Sequence, residues 1–189
     1  MRGYFAIGVE GVTKAMNVGA LMRTAHAFGA SFVFTLAAAY AREEARLADT
    51  SDTPGSLPFY EFAGIADFAL PRDCVLVGVE LMDDAIDLPS FRHPHAAAYV
   101  MGPERGSLSP ELVARCAHVV KIPTRFSINL SLAGAMVMYD RMISLGRFAP
   151  RPVATGGPVE ALPRHSFAAP KIRRPKAGAP APVSASERD

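Results

Sequence analysis

Three stretches of the chain carry polar side chains in otherwise apolar surroundings: Asn17 and Arg23 in "NVGALMRTAHAFGA", Glu104 in "MGPERGSLSPEL", and Ser127, Asn129 and Ser131 in "IPTRFSINLSLAGAMVMYDRM". A helix start needs one side-chain acceptor for its orphan N–H groups. The alternation Ser127, Asn129, Ser131 ahead of a nearly all-apolar helix therefore has two polar residues to spare. Hydroxyls, amides and backbone N–H groups at a helix start can converge on a ligand, or on a guanidinium such as Arg23 and a carboxylate such as Glu104. Arg23 lies more than a turn into its helix on the face of Gly19 and Ala20, whose small side chains leave a groove for it. Glu104 stands just past a strand, flanked by Gly102, Pro103 and Gly106; the glycines let a ligand approach the backbone and the proline stiffens the turn. Taken singly, Asn17 reads as a helix cap and Arg23 as an exposed helix arginine. Ser109 before Pro110 is also a cap, which leaves Glu104 unexplained.

The elements that must position these residues follow from periodicity and turn chemistry. "YFAIGVE" (Tyr4 to Glu10) reads as a buried strand, and Val18, Leu21, Met22, Ala25 and Phe28 recur at helical spacing between a cap at Asn17 and a stop at Gly29. "SFVFTL" reads as a strand, "AREEARLAD" as a short helix, "SDTPGSLP" as a loop and "GIADFAL" as a helix. "CVLVGVEL" has the continuous apolar character of a parallel strand. A polar, proline-broken region "DDAIDLPSFRHPH" precedes the strand "AAYVM", the helix "PELVARCA", the strand "HVVKI" and the last helix, where Ala133, Gly134 and Ala135 permit close packing. The alternation predicts an α/β fold with a mainly parallel sheet and helices on both faces. Ligands then sit beyond the carboxyl ends of the strands, which is where the loops after "VLVGVE", "AAYVM" and "HVVKI" lie.

The 189 residues, half of them hydrophobic, suffice for one core. Residues 1–149 are expected to form it, and residues 150–189 to be a Pro/Ala-rich, largely disordered tail. The net charge of +2 is uneven: residues 151–189 hold seven Lys/Arg against three Asp/Glu, a balance of +4, which leaves −2 for the rest. The tail's "KIRRPK" reads mainly as solubilising, with a salt-dependent phosphate contact as the alternative. No run approaches the ~20 apolar residues of a membrane span, the start lacks the pattern of a signal peptide, and a cytoplasmic protein is expected. Cys74 and Cys116 lack metal-type spacing and read as buried reduced thiols. His93 and His95 in "HPH" have no third ligand nearby, so no metal is expected and a solvated loop accounts for them. The chain has no G-x-G-x-x-G, P-loop or G-x-S-x-G pattern, which disfavours a dinucleotide-dependent oxidoreductase and a serine hydrolase.

Taken together and in order, "NVGALMRTAHAFGA" with Asn and Arg six apart, "YVMGPERGSLS" with Gly-x-Glu, and "IPTRFSINLSLAGAMVMYDR" with Ser-x-Asn-x-Ser resemble the three motifs of the SPOUT superfamily of RNA methyltransferases, in its SpoU/TrmH branch. The resemblance implies an α/β domain with a deep C-terminal trefoil knot, S-adenosylmethionine bound in the knot, and a homodimer packed through the last helix. By position it implies Arg23 as the catalytic arginine, with Asn17, Glu104, Ser127 and Asn129 completing the site. Val79, Gly102, Ile122, Ser127 and Leu130 would line the cofactor pocket. The implied reaction is methyl transfer to a ribose 2′-hydroxyl of RNA, with tRNA favoured over rRNA. The competing reading is a catalytically inactive knotted RNA-binding paralogue. Two departures stand out: Gly106 and Ser107 replace the acidic residue and glycine usual before "LS", and the loop before Ser127 is short. The family's extra RNA-binding domain is not expected ahead of the first strand, and substrate selection is expected to come from the core, the dimer surface or the tail.

Overall fold

A computed structural model describes residues 3–40, 57–148, 151–153 and 155–157. The chain divides into two units, Met1–Phe148 and Ala149–Asp189; in the second, the described residues are exposed and form neither helix nor strand. The first unit is built on a seven-stranded sheet of β1 (Tyr4–Glu10), β2 (Phe32–Leu36), β3 (Phe59–Phe62), β4 (Val75–Val79), β5 (Ile86–Asp87), β6 (Ala96–Met101) and β7 (His118–Lys121), in the order β3-β2-β1-β6-β4-β7-β5. Every pair is parallel, where the alternation of strands and helices and the apolar run of β4 predicted a mainly parallel sheet.

Both faces of the sheet are covered. Phe5, Ile7 and Val9 of β1 pack with Val18, Leu21 and Met22 of helix α1 (Ala15–Phe28) and with Val137 and Met138 of helix α3 (Leu130–Leu145). The alternate residue Ala6 packs on the other face with Phe34, Val100 and Leu112, the last from the short helix α2 (Pro110–Arg115). Gly134 brings α1 and α3 together: a Cβ there would lie 2.6 Å from Leu21 Cδ1. The register sets the geometry of the functional end. Val79 of β4 pairs with Met101 of β6 and with Val120 of β7, so the three loops leave the sheet side by side.

Several local readings change. β1 and the Gly29 stop are as expected, Gly29 adopting the left-handed φ of 75° at the end of α1. Asn17 is not the cap: α1 starts earlier, at Ala15, and Asn17 is buried inside its first turn. "GIADFAL" is a single 3-10 turn, Ile65–Asp67, because Phe68 and Leu70 are drawn individually into the sheet-covering cluster rather than along one helical face. The edge strand β3 and the two-residue β5 went unread, both being short and without a buried stripe. The readings of "AREEARLAD" and of most of "SDTPGSLP" fall outside the described residues, as does nearly all of the tail.

The solvated-loop reading of His93 is also corrected. Its ring is buried at 4% exposure in a network that ties α3 to the amino-terminal ends of β1 and β6. Arg141, 2% exposed, donates to the carbonyls of Pro94 (2.6 Å) and His95 (2.7 Å) and to Tyr99 Oη (3.0 Å). Burial pushes Tyr99 up to about 12, so its hydroxyl keeps its proton and donates to His93 Nδ1 at 2.6 Å. His93 Nε2–H then donates to Asp140 Oδ2 at 2.8 Å. Both ring nitrogens of His93 and the Tyr99 hydroxyl thus have partners, as burial requires.

Candidate active site

The three loops enclose a cleft of about 330 Å³ at the carboxyl ends of β4, β6 and β7. Val79, Leu81, Met101, Ile122, Ile128, Leu130 and Ala133 give it apolar walls, while Glu80, Glu104, Thr124 and Ser127 supply polar groups. Val79, Gly102, Ile122, Ser127 and Leu130, five residues picked from the sequence, all line this one cleft. Gly102 lets the loop's own backbone close against the end of β6: a Cβ would lie 2.9 Å from the Leu108 nitrogen and 3.0 Å from the Ser107 carbonyl carbon.

Three carboxylates hold the loop between β6 and α2. Glu104 Oε1 accepts from the Lys14 N–H (3.0 Å) and from Asn17 Nδ2 (2.9 Å), and its Oε2 from the Thr13 N–H (3.2 Å) and hydroxyl (3.3 Å). The lysine at the N-cap of α1 makes no side-chain cap bond; Glu104, from the loop after the neighbouring strand β6, instead fixes the entry to the helix by accepting from the N–H groups of Thr13 and Lys14. Burial alone would raise its carboxyl, but the hydrogen bonds from Asn17 and from backbone N–H groups, including those of Thr13 and Lys14, outweigh it and hold the group below its ordinary range. Glu80 Oε2 accepts from the Leu108 N–H at 2.8 Å, and Glu10 accepts from the Ser109 N–H (2.7 Å) and hydroxyl (2.6 Å). Ser109 caps α2 as read from the sequence, accepting from the Leu112 N–H at 3.2 Å.

The polar surplus ahead of α3 resolves into separate tasks. Asn129 is the N-cap: its Oδ1 accepts from the Ser131 N–H (2.9 Å) and hydroxyl (2.6 Å) and from the Leu132 N–H (3.4 Å). Its Nδ2 donates to Asn17 Oδ1 at 3.1 Å. Ser127 lines the cleft. Glu104, Asn17 and Asn129 therefore form one hydrogen-bonded chain joining the second loop, α1 and the start of α3. Glu104 lines the cleft, while Asn17 and Asn129, with Thr13, Lys14 and Met16, line a second hollow. Arg23 stands exposed further along α1 and lines neither.

Sequence reasoning missed Glu80 and Glu10. Each is the residue at the end of a buried strand, beside β6's loop, and an acidic residue ending an apolar run was the available signal. Among the described residues no cluster of His, Cys, Asp and Glu is placed to hold a metal, and no helix is long and apolar enough to cross a membrane.

The family model described as "SpoU rRNA Methylase family" matches residues 4–139. The chain belongs to that family. No match was found among curated proteins. Among solved structures, the SpoU methyltransferase AviRb of Streptomyces viridochromogenes is 23% identical with a TM-score of 0.65, the match covering 75% of this chain and 60% of that one. An AdoMet-bound rRNA methyltransferase of Sinorhizobium meliloti is 21% identical with a TM-score of 0.66, covering 76% and 57%. This SpoU-family chain thus spans under two thirds of the length of both. A structure solved for insight into the 2-OH methylation of C/U34 on tRNA is 22% identical with a TM-score of 0.69, covering 77% of this chain and 98% of that one.

Proposed function

We propose that this SpoU-family chain transfers a methyl group from S-adenosylmethionine to a ribose 2′-hydroxyl of RNA. The observation that carries the reading is the juxtaposition of the apolar-walled cleft with the Glu104–Asn17–Asn129 chain at its edge. A cleft of about 330 Å³ with apolar walls and a few convergent polar groups suits a nucleoside with a charged amino-acid tail. Gly102, lining the cleft without a side chain, leaves backbone groups for the cofactor, and Val79, Ile122 and Leu130 enclose its flat apolar part. When bound, S-adenosylmethionine supplies an electrophilic methyl group on a cationic leaving group.

What remains for the protein is alignment and care of the hydroxyl proton. Glu104 is ionised at neutral pH, yet it is tied by hydrogen bonds from Thr13, Lys14 and Asn17 and held below the carboxylate range; it positions Asn17 and Asn129 rather than taking a proton. Asn129 fixes the first turn of α3 and with it the place of Ser127. Arg23 is the catalytic arginine by its position in the motif. Its guanidinium is a costly base and serves better by polarising the hydroxyl and gripping a neighbouring phosphate.

The finer reading is a cytoplasmic enzyme with the family's trefoil knot, acting on tRNA in preference to rRNA. The tRNA preference is supported by the relative that the match covers almost end to end, whose subject is tRNA. The homodimer is supported by Leu132, Met136 and Tyr139, which form an exposed apolar stripe on α3 at 57%, 45% and 50% exposure.

Calorimetric titration with S-adenosylmethionine, with NAD as the control, is the first test, followed by transfer of labelled methyl to total tRNA and rRNA. Binding of the methyl donor alone and 2′-O-methylated product carry the reading. Donor binding without transfer to any RNA would favour the inactive RNA-binding paralogue, and no donor binding would remove the cleft from cofactor chemistry.

A further inference from the structure

Phe126 is the most exposed aromatic side chain among the described residues, at 73%. It lies in the short loop between β7 and α3, flanked by Thr124 and Ser127, and both of these line the cleft. The loop is tied down locally: the Thr124 N–H donates to the Ile122 carbonyl at 2.7 Å and its hydroxyl to the Phe126 carbonyl at 2.9 Å. Beside it Arg125 is exposed, and on the facing loop Arg105 is exposed and lines the cleft. The one acidic neighbour in sequence, Glu104, has its carboxylate hydrogen-bonded to the start of α1 rather than to Arg105.

A flat apolar ring on a fixed turn between cations matches a nucleotide, with a base for the ring and phosphates for the guanidiniums. It matches a protein partner less well, because Arg125, Thr124 and Ser127 surround the ring with polar groups, whereas the apolar stripe suited to a second copy lies along α3. We infer that Phe126, with Arg125 and Arg105, forms a docking lip on which an unpaired base next to the reacting nucleotide stacks. The inference rests on the RNA-methyltransferase reading and sharpens it: a stacking ring needs a base whose face is free, so the target lies in a loop or single strand rather than in a duplex.

The chain has no tryptophan, so Phe126→Trp places a single indole reporter on the lip. An RNA hairpin with an unpaired loop should quench its fluorescence, and a fully paired duplex of the same nucleotide content should not. Phe126→Ala should weaken binding of the hairpin by roughly 5- to 100-fold while leaving S-adenosylmethionine affinity within about two-fold and the oligomeric state unchanged. Arg125→Gln should lower the slope of log affinity against log salt by about 0.7, the loss of one phosphate contact on a single strand. Hairpin binding unchanged in Phe126→Ala, or quenching equal with the duplex, would overturn the lip while leaving the methyltransferase reading intact. A change of oligomeric state in Phe126→Ala would assign the ring to a contact between copies and overturn it as well. Failure of the wild-type protein to bind S-adenosylmethionine or any RNA would instead overturn the reading on which the lip rests.

Discussion

Asn17 Nδ2 donates to Glu104 Oε1 at 2.9 Å across 87 residues of sequence. Through that bond the first and second sequence motifs become one device, and Asn129 joins the third to it by donating to Asn17 Oδ1. Each amide uses both its ends: Asn17 donates to Glu104 and accepts from Asn129, while Asn129 donates to Asn17 and caps α3 with its oxygen. Neither position accepts a residue that only donates or only accepts, which explains why amides rather than carboxylates stand at 17 and 129.

Replacing Glu104 tests whether this chain organises the site. Glu104→Ala leaves the Thr13 and Lys14 N–H groups and the Asn17 amide without their acceptor, and should cost about 1–3 kcal/mol of stability. Glu104→Gln keeps one acceptor oxygen but turns an N–H group toward donors, so it should recover only part. The carboxyl sits below its ordinary range, so its stabilisation is complete above the unfolded value and fades as pH falls through the lower folded value. Thermal melts of wild type and Glu104→Gln should therefore differ at neutral pH and converge in acid below the ordinary carboxylate range; a pH-independent gap would show that the charge is not what is being lost.

Gly102 tests the cleft wall. A methyl group there meets the backbone of Ser107 and Leu108 at 3.0 and 2.9 Å and Glu80 Oε2 at 3.1 Å, and backbone atoms yield less readily than side-chain ends. Gly102→Ala should push the second loop outward, at a cost of about 1–3 kcal/mol for the overpacked site. Calorimetry should find S-adenosylmethionine affinity down by roughly ten-fold or more. Affinity within two-fold of wild type would place the cofactor away from this wall.

Arg23 tests the division between binding and chemistry. It lines neither hollow, so Arg23→Ala should leave S-adenosylmethionine affinity within a few-fold while methyl transfer falls by about 100-fold or more, the scale of losing one transition-state donor. Arg23→Lys keeps the charge without the planar fork and should rescue little. Near-normal transfer by either variant would remove Arg23 from the reaction.

The legibility of the chain in its sequence divides along physical lines. β1, β2, β4 and β6 were readable because strands buried on both faces are apolar nearly throughout, and the parallel class followed from their alternation with helices. The cleft residues Val79, Gly102, Ile122, Ser127 and Leu130 were readable only through the motif resemblance, since spacing alone does not place three strand ends side by side; the pairing of Val79 with Met101 and Val120 does. Asn17 was misread as a cap because an Asn before an apolar helix has that as its ordinary use, whereas the helix begins two residues earlier and Asn17 turns its amide to Glu104 and Asn129. Glu10 and Glu80 were passed over for the same reason: their acceptors serve N–H groups that are remote in sequence. His93 looked solvated between prolines, and only the fold brings Tyr99 and Asp140 to its two nitrogens.

That buried network yields the last prediction. Burial lowers His93, the charge of Arg141 lowers it further, and the hydrogen bond and charge of Asp140 act in the opposite direction without restoring the ordinary value. The neutral ring is thus the native form, with Nε2 protonated toward Asp140 and Nδ1 accepting from Tyr99. A histidine with a depressed folded value binds fewer protons folded than unfolded, so stability is full above its ordinary value of about 6.5 and declines as pH falls below it. His93→Gln offers an oxygen for Tyr99 and an N–H group for Asp140 without a titrating ring; its melting temperature should change less between pH 7 and pH 5 than that of wild type, about 6.5 marking where the two curves part. Arg141→Met, by contrast, strands the Pro94 and His95 carbonyls and should already cost about 1–3 kcal/mol at neutral pH, where His93 is uncharged. If wild type and His93→Gln lose stability in parallel below pH 6.5, the acid sensitivity of the fold lies elsewhere than in this histidine.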